Sequence, residues 1–327
     1  MTITTPNALR GSCAYQPFDL NATLHVGGNY RVFMGKSISV QVPVRIDLVG
    51  GWTDVPEYCN NNAGGVINIA INRFIHAEMH VDNERKISVK YSSDVPVGSG
   101  LGTSGALNVA LLSTILQDEK SEEQIAELAF QFESLLGNTG GRQDQWASAK
   151  GGIQHLQFRG EQVHSQHLDV SPHFVKKIEN CFLLFDSGIA HSSGELHSKV
   201  WAKYRKGDKI IHETLDEMSS MVDEMRIAIL ENQFHLMCTI LQRTTECVDR
   251  LGLEFNEPFR DILQPHVGKT VAAWKVMGAG AGGVVGVMLS DEKFREDIIE
   301  ISRRSGWTPL EWKTEYLGIQ RNISHHG

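Results

Sequence analysis

"PVGSGLGTSGALNVALLSTIL", residues 96–116, sets four glycines among its first ten residues and then turns into an apolar run. A chain gives up side chains this freely where its backbone must approach something closely, and bare N–H groups opening a helix point at anions. The run from Ala106 onward is apolar on nearly every side, so the helix it forms is expected to be buried. Phosphate is the natural ligand for such a loop, and two standard phosphate devices can be tested against it. A Walker A loop requires a lysine after its glycines, and none follows here. The dinucleotide pattern G-x-G-x-x-G occurs at Gly100, Gly102 and Gly105 and again at Gly278, Gly280 and Gly283. The first lacks an acidic residue closing a second strand about twenty positions on, because Asp118 and Glu119 fall in the polar joint between two helices. The second runs into the strand-like "VVGVML" where a helix is required.

Working outward, "SISVQVPVRIDLVG" (37–50) has Ile38, Val40, Val42, Val44, Ile46 and Leu48 at an unbroken period of two, which predicts a long half-buried strand. "FIHAEMHV" (74–81) and "KISVKY" (86–91) repeat the alternation, with His76 and His80 on the solvent side. Beyond the glycine loop, Ser121 and Gln124 form a capping box. The helix they open is expected to pack Ile125, Leu128, Ala129, Phe132, Leu135 and Leu136 inward, with Glu133 beside that face. From about 176 a second half begins: the strand "CFLLFD", the loop "SGIAHSSG", two long helical segments between about 193 and 251, the strand "VAAWKVM", the turn "GAGAGG", the strand "VVGVML" and a helix over 291–304. Met218, Met221 and Met225 lie at helical spacing and read as core packing. The pattern is mixed α and β in two halves, 1–175 and 176–327. The residues before about 40 carry no recognisable chemistry and are expected to add strands to the first half.

The 327 residues are 41% hydrophobic and 21% charged, ordinary for a globular protein. A net charge of −8 without a Lys/Arg block argues against nucleic acid or an anionic membrane as partner. Five scattered cysteines with no C-x-x-C pair suit a reducing compartment. No apolar run approaches the length of a membrane span, and a cytoplasmic protein is expected. His164 and His167, like His325 and His326, lack the Cys or carboxylate framework of a zinc site. Nothing here fixes the oligomeric state, and a homodimer stays open.

The loop at 96–105 resembles the P-x-G-x-G-L-G-S-S-A loop of the GHMP kinases. "PVRIDLVGGWTD" (43–54) is similar to the first motif of that family, "GGRQDQWASAKGG" (140–152) to the segment carrying its catalytic aspartate in the sugar-kinase branch, and "KVMGAGAGG" (275–283) to its third, C-terminal glycine motif. Four motifs stand in family order. The resemblance implies an α+β, two-domain GHMP kinase fold: an S5-like N-terminal ATP-binding domain (1–175), a ferredoxin-like C-terminal domain (176–327), and a site in the cleft between them.

It also implies roles. ATP would be cradled by Pro96, Gly98, Ser99, Gly100, Leu101, Gly102, Thr103, Ser104 and Gly105, with Thr103 donating to a phosphate oxygen. Mg²⁺ would be held by Ser104 and Glu133, hard oxygens of the kind this ion prefers. Asp144 matches the catalytic aspartate that accepts the proton of the attacking hydroxyl, and Arg45 the basic residue that keeps it ionised. A sugar would lie against Gly51, Trp52, Asp54, Ser187, Ser192, Ser193, Gly278 and Gly280. Gly51 and Trp52 replace the Glu and His of galactokinases, and the stretch is instead similar to two anomeric-kinase groups, the L-fucokinase kinase domain and the D-glycero-D-manno-heptose 7-phosphate kinases. The resemblance therefore implies transfer to the C1 hydroxyl of a heptose 7-phosphate or an L-fucose-like sugar. His191 stands where a basic residue is frequent, and Ala281 replaces a glycine and stiffens its turn. A silent relative that senses ATP or sugar is the alternative, and such a protein would have no need of a base at Asp144.

Overall fold

The computed structural model describes residues 22–25, 36–82, 86–116, 120–137, 140–189, 193–278 and 280–325. The chain runs β1 (Ala22–His25), β2 (Lys36–Val49), α1 (Pro56–Cys59), β3 (Gly64–Val81), β4 (Lys86–Ser93), α2 (Thr103–Ile115), α3 (Glu122–Leu135), α4 (Gln143–Lys150), β5 (Ile153–Arg159), β6 (Gln162–His167), α5 (Pro172–Cys181) and β7 (Phe182–Asp186). It continues through α6 (Ser193–Arg205), α7 (Lys209–Leu230), α8 (Phe234–Leu251), α9 (Glu257–Leu263), β8 (Val271–Val276), β9 (Val284–Leu289), α10 (Arg295–Arg304), β10 (Thr308–Leu310) and β11 (Gln320–His325). The strands form two antiparallel sheets. One has the order β1-β4-β3-β2-β11, with β5 paired to the other end of β3 and β6 to β5; the second has the order β10-β7-β9-β8.

β2 is the strand its alternation predicts, but only its first half is half-buried. From Val42 onward both faces are covered, and Arg45 and Asp47 are as buried as Val44, Ile46 and Leu48. Helices α2 and α4 pack across it, which removes the solvent face the period of two implies. Pro43, unable to donate to a ladder, sits at a register shift between β2 and β3, where a missing N–H is tolerated.

α2 is buried over most of its length, and the Ser121–Gln124 capping box opens α3 with both of its hydrogen bonds. The inner face of α3 is rotated from the expected one. Ile125, Ala126, Ala129, Phe130 and Glu133 are buried, whereas Leu135 and Leu136 are exposed. The polar contacts of Glu133 described below turn it inward, and that sets the rotation. The segment 193–251 makes three helices, not two, with Asp208 capping α7 through Ile210 N–H and Ile211 N–H. Met218, Met221 and Met225 are fully buried in a single apolar cluster that links β2 and β3 with β8 and β9. No helix among the described residues is long and apolar enough to cross a membrane. The last strand, β11, returns to the edge of the first sheet beside β2.

Candidate active site

The glycine loop leaves β4 and enters α2 at Gly102, whose left-handed φ of 78° lets the chain turn into the helix. Gly100 has to be glycine for a second reason: a Cβ there would lie 2.3 Å from the Met277 carbonyl oxygen. The loop is strapped on several sides. Ser99 N–H donates to the Pro96 carbonyl (3.2 Å), Gly98 N–H to Thr103 Oγ1 (3.3 Å), and Arg45 N–H to the Leu101 carbonyl (3.0 Å). Since the Thr103 oxygen accepts from Gly98, its own proton is what this side chain has left to give. Val284 N–H donates to the Ser99 carbonyl (2.8 Å), so the third glycine motif forms the outer wall of the loop. Gly278 lies against Gly100 and Gly280 against Phe255, which places both at that wall. Ala281 holds a φ of +67°, a left-handed conformation that favours glycine, so the substitution strains the turn it occupies.

Arg45, almost fully buried on β2, reaches the loop and the aspartate together. Its Nε and Nη2 donate to Asp144 Oδ1 at 2.9 and 2.5 Å, and Nη1 donates to the Gly100 carbonyl at 2.5 Å. The Asp144 side chain keeps 27% of its surface open. Burial pushes its carboxyl up from the ordinary range, and the Arg45 guanidinium pulls against that. Asp144 lies in the first turn of α4, and Gly105 packs on its Cβ.

Glu133 points from α3 toward the same place. The Ser104 hydroxyl donates to its Oε1, and Gln145 Nε2 donates to Oε2 at 2.6 Å. Ser104, Phe130, Glu133, Gly140, Gly141 and Asp144 are among the residues lining a cavity of about 80 Å³. A hydroxyl touching a carboxylate beside an aspartate is a hard-oxygen set that suits Mg²⁺, which also keeps waters and substrate phosphates as ligands. Among the described residues no group of three or more His, Cys, Asp or Glu side chains is placed to hold a metal unaided.

On the other side of Gly141 lies Asp54, 2% exposed, with Oδ2 accepting from Gln143 N–H at 3.1 Å. A Cβ on Gly141 would meet that oxygen at 1.8 Å, so only glycine lets the two segments close. Burial lifts the Asp54 carboxyl to about 7 despite the hydrogen bond from Gln143. Trp52 has a φ of +80°, an outlier for a bulky residue. Its indole stacks on His197 of α6 (centroids 4.1 Å apart) and meets Phe255 edge-on at 5.2 Å. Thr53 Oγ1, donating to the Gly50 and Gly65 carbonyls, helps hold this turn.

The structure thus brings Arg45, Gly51, Trp52, Asp54, the glycine loop, Ser104, Glu133 and Asp144 into one region. The Ser187 hydroxyl donates to the Gly283 carbonyl (2.7 Å) and so braces the third glycine motif. Ser192 lies outside the described residues, as does the side chain of Ser193. Sequence reasoning missed Gln143 and Gln145, and also a buried ion pair between Asp47 and Lys275 (2.9 Å). A charge at every second position of an apolar strand, Arg45 then Asp47, was the available signal.

Residues 66–152 match the family model described as GHMP kinases N terminal domain. Residues 66–152 of the chain are a GHMP kinase N-terminal domain. Over 83% of its length the chain is 25% identical to the bifunctional fucokinase/GDP-fucose pyrophosphorylase of Arabidopsis thaliana, of which it spans 32%. It is 24% identical, again over 83% of its length, to the D-glycero-alpha-D-manno-heptose 7-phosphate kinase of Campylobacter jejuni, of which it spans 95%. Among solved structures, a D-glycero-D-manno-heptose 1-phosphate kinase from Bacteriodes thetaiotaomicron superposes with a TM-score of 0.72 at 17% identity, covering 87% of this protein and 98% of that chain. At that identity the likeness is one of fold.

Proposed function

We propose that this protein is a kinase that transfers the γ-phosphoryl group of ATP to the anomeric C1 hydroxyl of a sugar, a heptose 7-phosphate or an L-fucose-like sugar. The observation that carries the reading is the Arg45–Asp144 pair at the edge of the glycine loop, with an open aspartate oxygen facing a small polar cavity. Phosphoryl transfer asks a protein mainly to align two reactants and to neutralise charged oxygens. The loop N–H groups and the start of α2 would hold the phosphates, with the Thr103 proton directed to one of their oxygens. Asp144 would accept the proton of the attacking hydroxyl while Arg45 fixes its orientation. Asp54, across Gly141, would receive a more distant sugar hydroxyl, and the Gly51–Trp52 turn would bound the acceptor. Ser104 and Glu133 would hold Mg²⁺, which supplies positive charge at the phosphate oxygens when bound.

In this reading residues 1–175, joined at the sheet edge by β11, form the nucleotide-binding half and the rest of residues 176–327 supply its outer wall. The buried free thiols of Cys59, Cys181, Cys238 and Cys247 suit the reducing cytoplasm, where ATP is also supplied. The relatives that support the sugar reading are named for fucose and heptose phosphate. The test is ADP release across a panel of free and phosphorylated sugars, followed by NMR of the product. Phosphorus coupling to the C1 proton is expected. Phosphate on a primary hydroxyl, or a mevalonate-like acid as acceptor, overturns the anomeric reading. ATP binding with no transfer to any acceptor returns the protein to the sensor class.

A further inference from the structure

Asp47 and Lys275 stand 228 positions apart and are 2% and 3% exposed, yet they form an ion pair of 2.9 Å. The pair is poorly furnished as a device for stability. Asp47 Oδ1 has no hydrogen-bond partner among the described residues, and a buried pair with an unsatisfied oxygen generally contributes less than apolar side chains of similar volume would. Its location explains it better. Asp47 lies two residues beyond Arg45 on β2, so the two side chains leave the same face of the strand. One carboxylate oxygen, Oδ2, lies 2.4 Å from where a Cβ of Gly51 would stand, and Gln143 Nε2 lies 3.4 Å from that same point. The carboxylate therefore packs on the turn assigned to the acceptor.

Lys275 is next to the end of β8, and three residues later Gly278 lies against Gly100 of the phosphate loop. Building on the function proposed above, we propose that Lys275, acting through Asp47, is a positioning residue that pins the third glycine motif to the strand and turn presenting Arg45 and the acceptor, and so sets the separation of the two substrates.

A pin of this kind acts on turnover more than on binding, because each substrate keeps its own contacts while their alignment is lost. Lys275→Met alone strands a buried carboxylate and is expected to cost stability heavily, so the informative variant is Asp47→Asn with Lys275→Met, which removes both charges. Three readouts are taken against the unaltered protein: Tm, kcat with KM for each substrate, and amide hydrogen exchange over residues 98–105 and 277–284. The expected result is a Tm within a few degrees of the parent, with kcat lowered by about 10²-fold, KM values changed by less than about threefold, and faster exchange confined to those two segments. A double variant that recovers both Tm and kcat, with exchange unchanged in both segments, overturns the proposal and leaves the pair a packing feature. If the double variant fails to fold, Asp47→Glu carries the test: it keeps the charges but displaces the carboxylate, and an unchanged kcat again overturns the pin. Loss of the sugar reading is separable, since it would show as an unaltered protein that transfers to no sugar, and the exchange measurement does not depend on turnover.

Discussion

Replacing Asp54 with Asn removes one buried carboxyl while keeping its shape and an oxygen to accept from Gln143 N–H. In the folded protein this carboxyl titrates near 7, against 3.8 for an ordinary aspartate. Below about pH 4 both states bind the proton, and Asp54 resembles Asn in charge. As pH rises from there the unfolded chain releases its proton while the folded one retains it, so folding becomes less favourable until the folded carboxyl also ionises. Each pH unit in that window is worth about 1.4 kcal/mol, and the full rise comes to about 4 kcal/mol. Urea unfolding of Asp54→Asn and of the parent, measured from pH 5 to 8, is therefore expected to show the variant's advantage growing by about 2 kcal/mol between pH 5 and 7 and levelling above pH 7. An advantage that does not change with pH refutes the reasoning, because it would mean that Asp54 ionises in the fold as readily as in the open chain. The same variant should raise KM for the acceptor, since an amide replaces the proposed hydroxyl acceptor with a weaker one.

Asp144→Asn should retain the fold and ATP affinity while lowering kcat by about 10² to 10⁴-fold, read by steady-state ADP release beside calorimetry; near-normal turnover removes Asp144 from the role of base. Glu133→Gln and Ser104→Ala should weaken calorimetric nucleotide binding only when Mg²⁺ is present, and an equal loss without the ion points to damage in the packing of α3.

What could be read in the sequence was local. The stripe of β2, the capping box of α3 and the buried α2 all follow from residues within one or two turns of each other. The apolar rotation of α3 was not legible, because Glu133 is held inward by Ser104 and Gln145, partners on two other helices. Leu135 and Leu136, apolar by type, are left outside as a result. Family motifs supplied Arg45, Asp144 and Glu133, and the geometry gave each a partner. They gave no sign that Ser187 braces Gly283 or that Asp47 meets Lys275, since those contacts span 96 and 228 positions; the first extends the β7–β9 pairing and the second depends on how the two sheets are set together.

The pairing of β11 with β2 bears on how the protein is made. Gln41 and Gln320 share a side-chain hydrogen bond across 279 positions of chain, and β11 covers the β2 edge from Lys36 to Gln41. Translation at about 5–20 residues per second separates the synthesis of these two strands by roughly 15–60 s. Throughout that interval the nascent sheet carries an open row of N–H and C=O groups along Lys36–Gln41, a template for the wrong strand. Ser37, Ser39 and Gln41 alternate along that edge and keep one of its faces polar while it waits, which disfavours the apolar contacts that would hold a second nascent chain there.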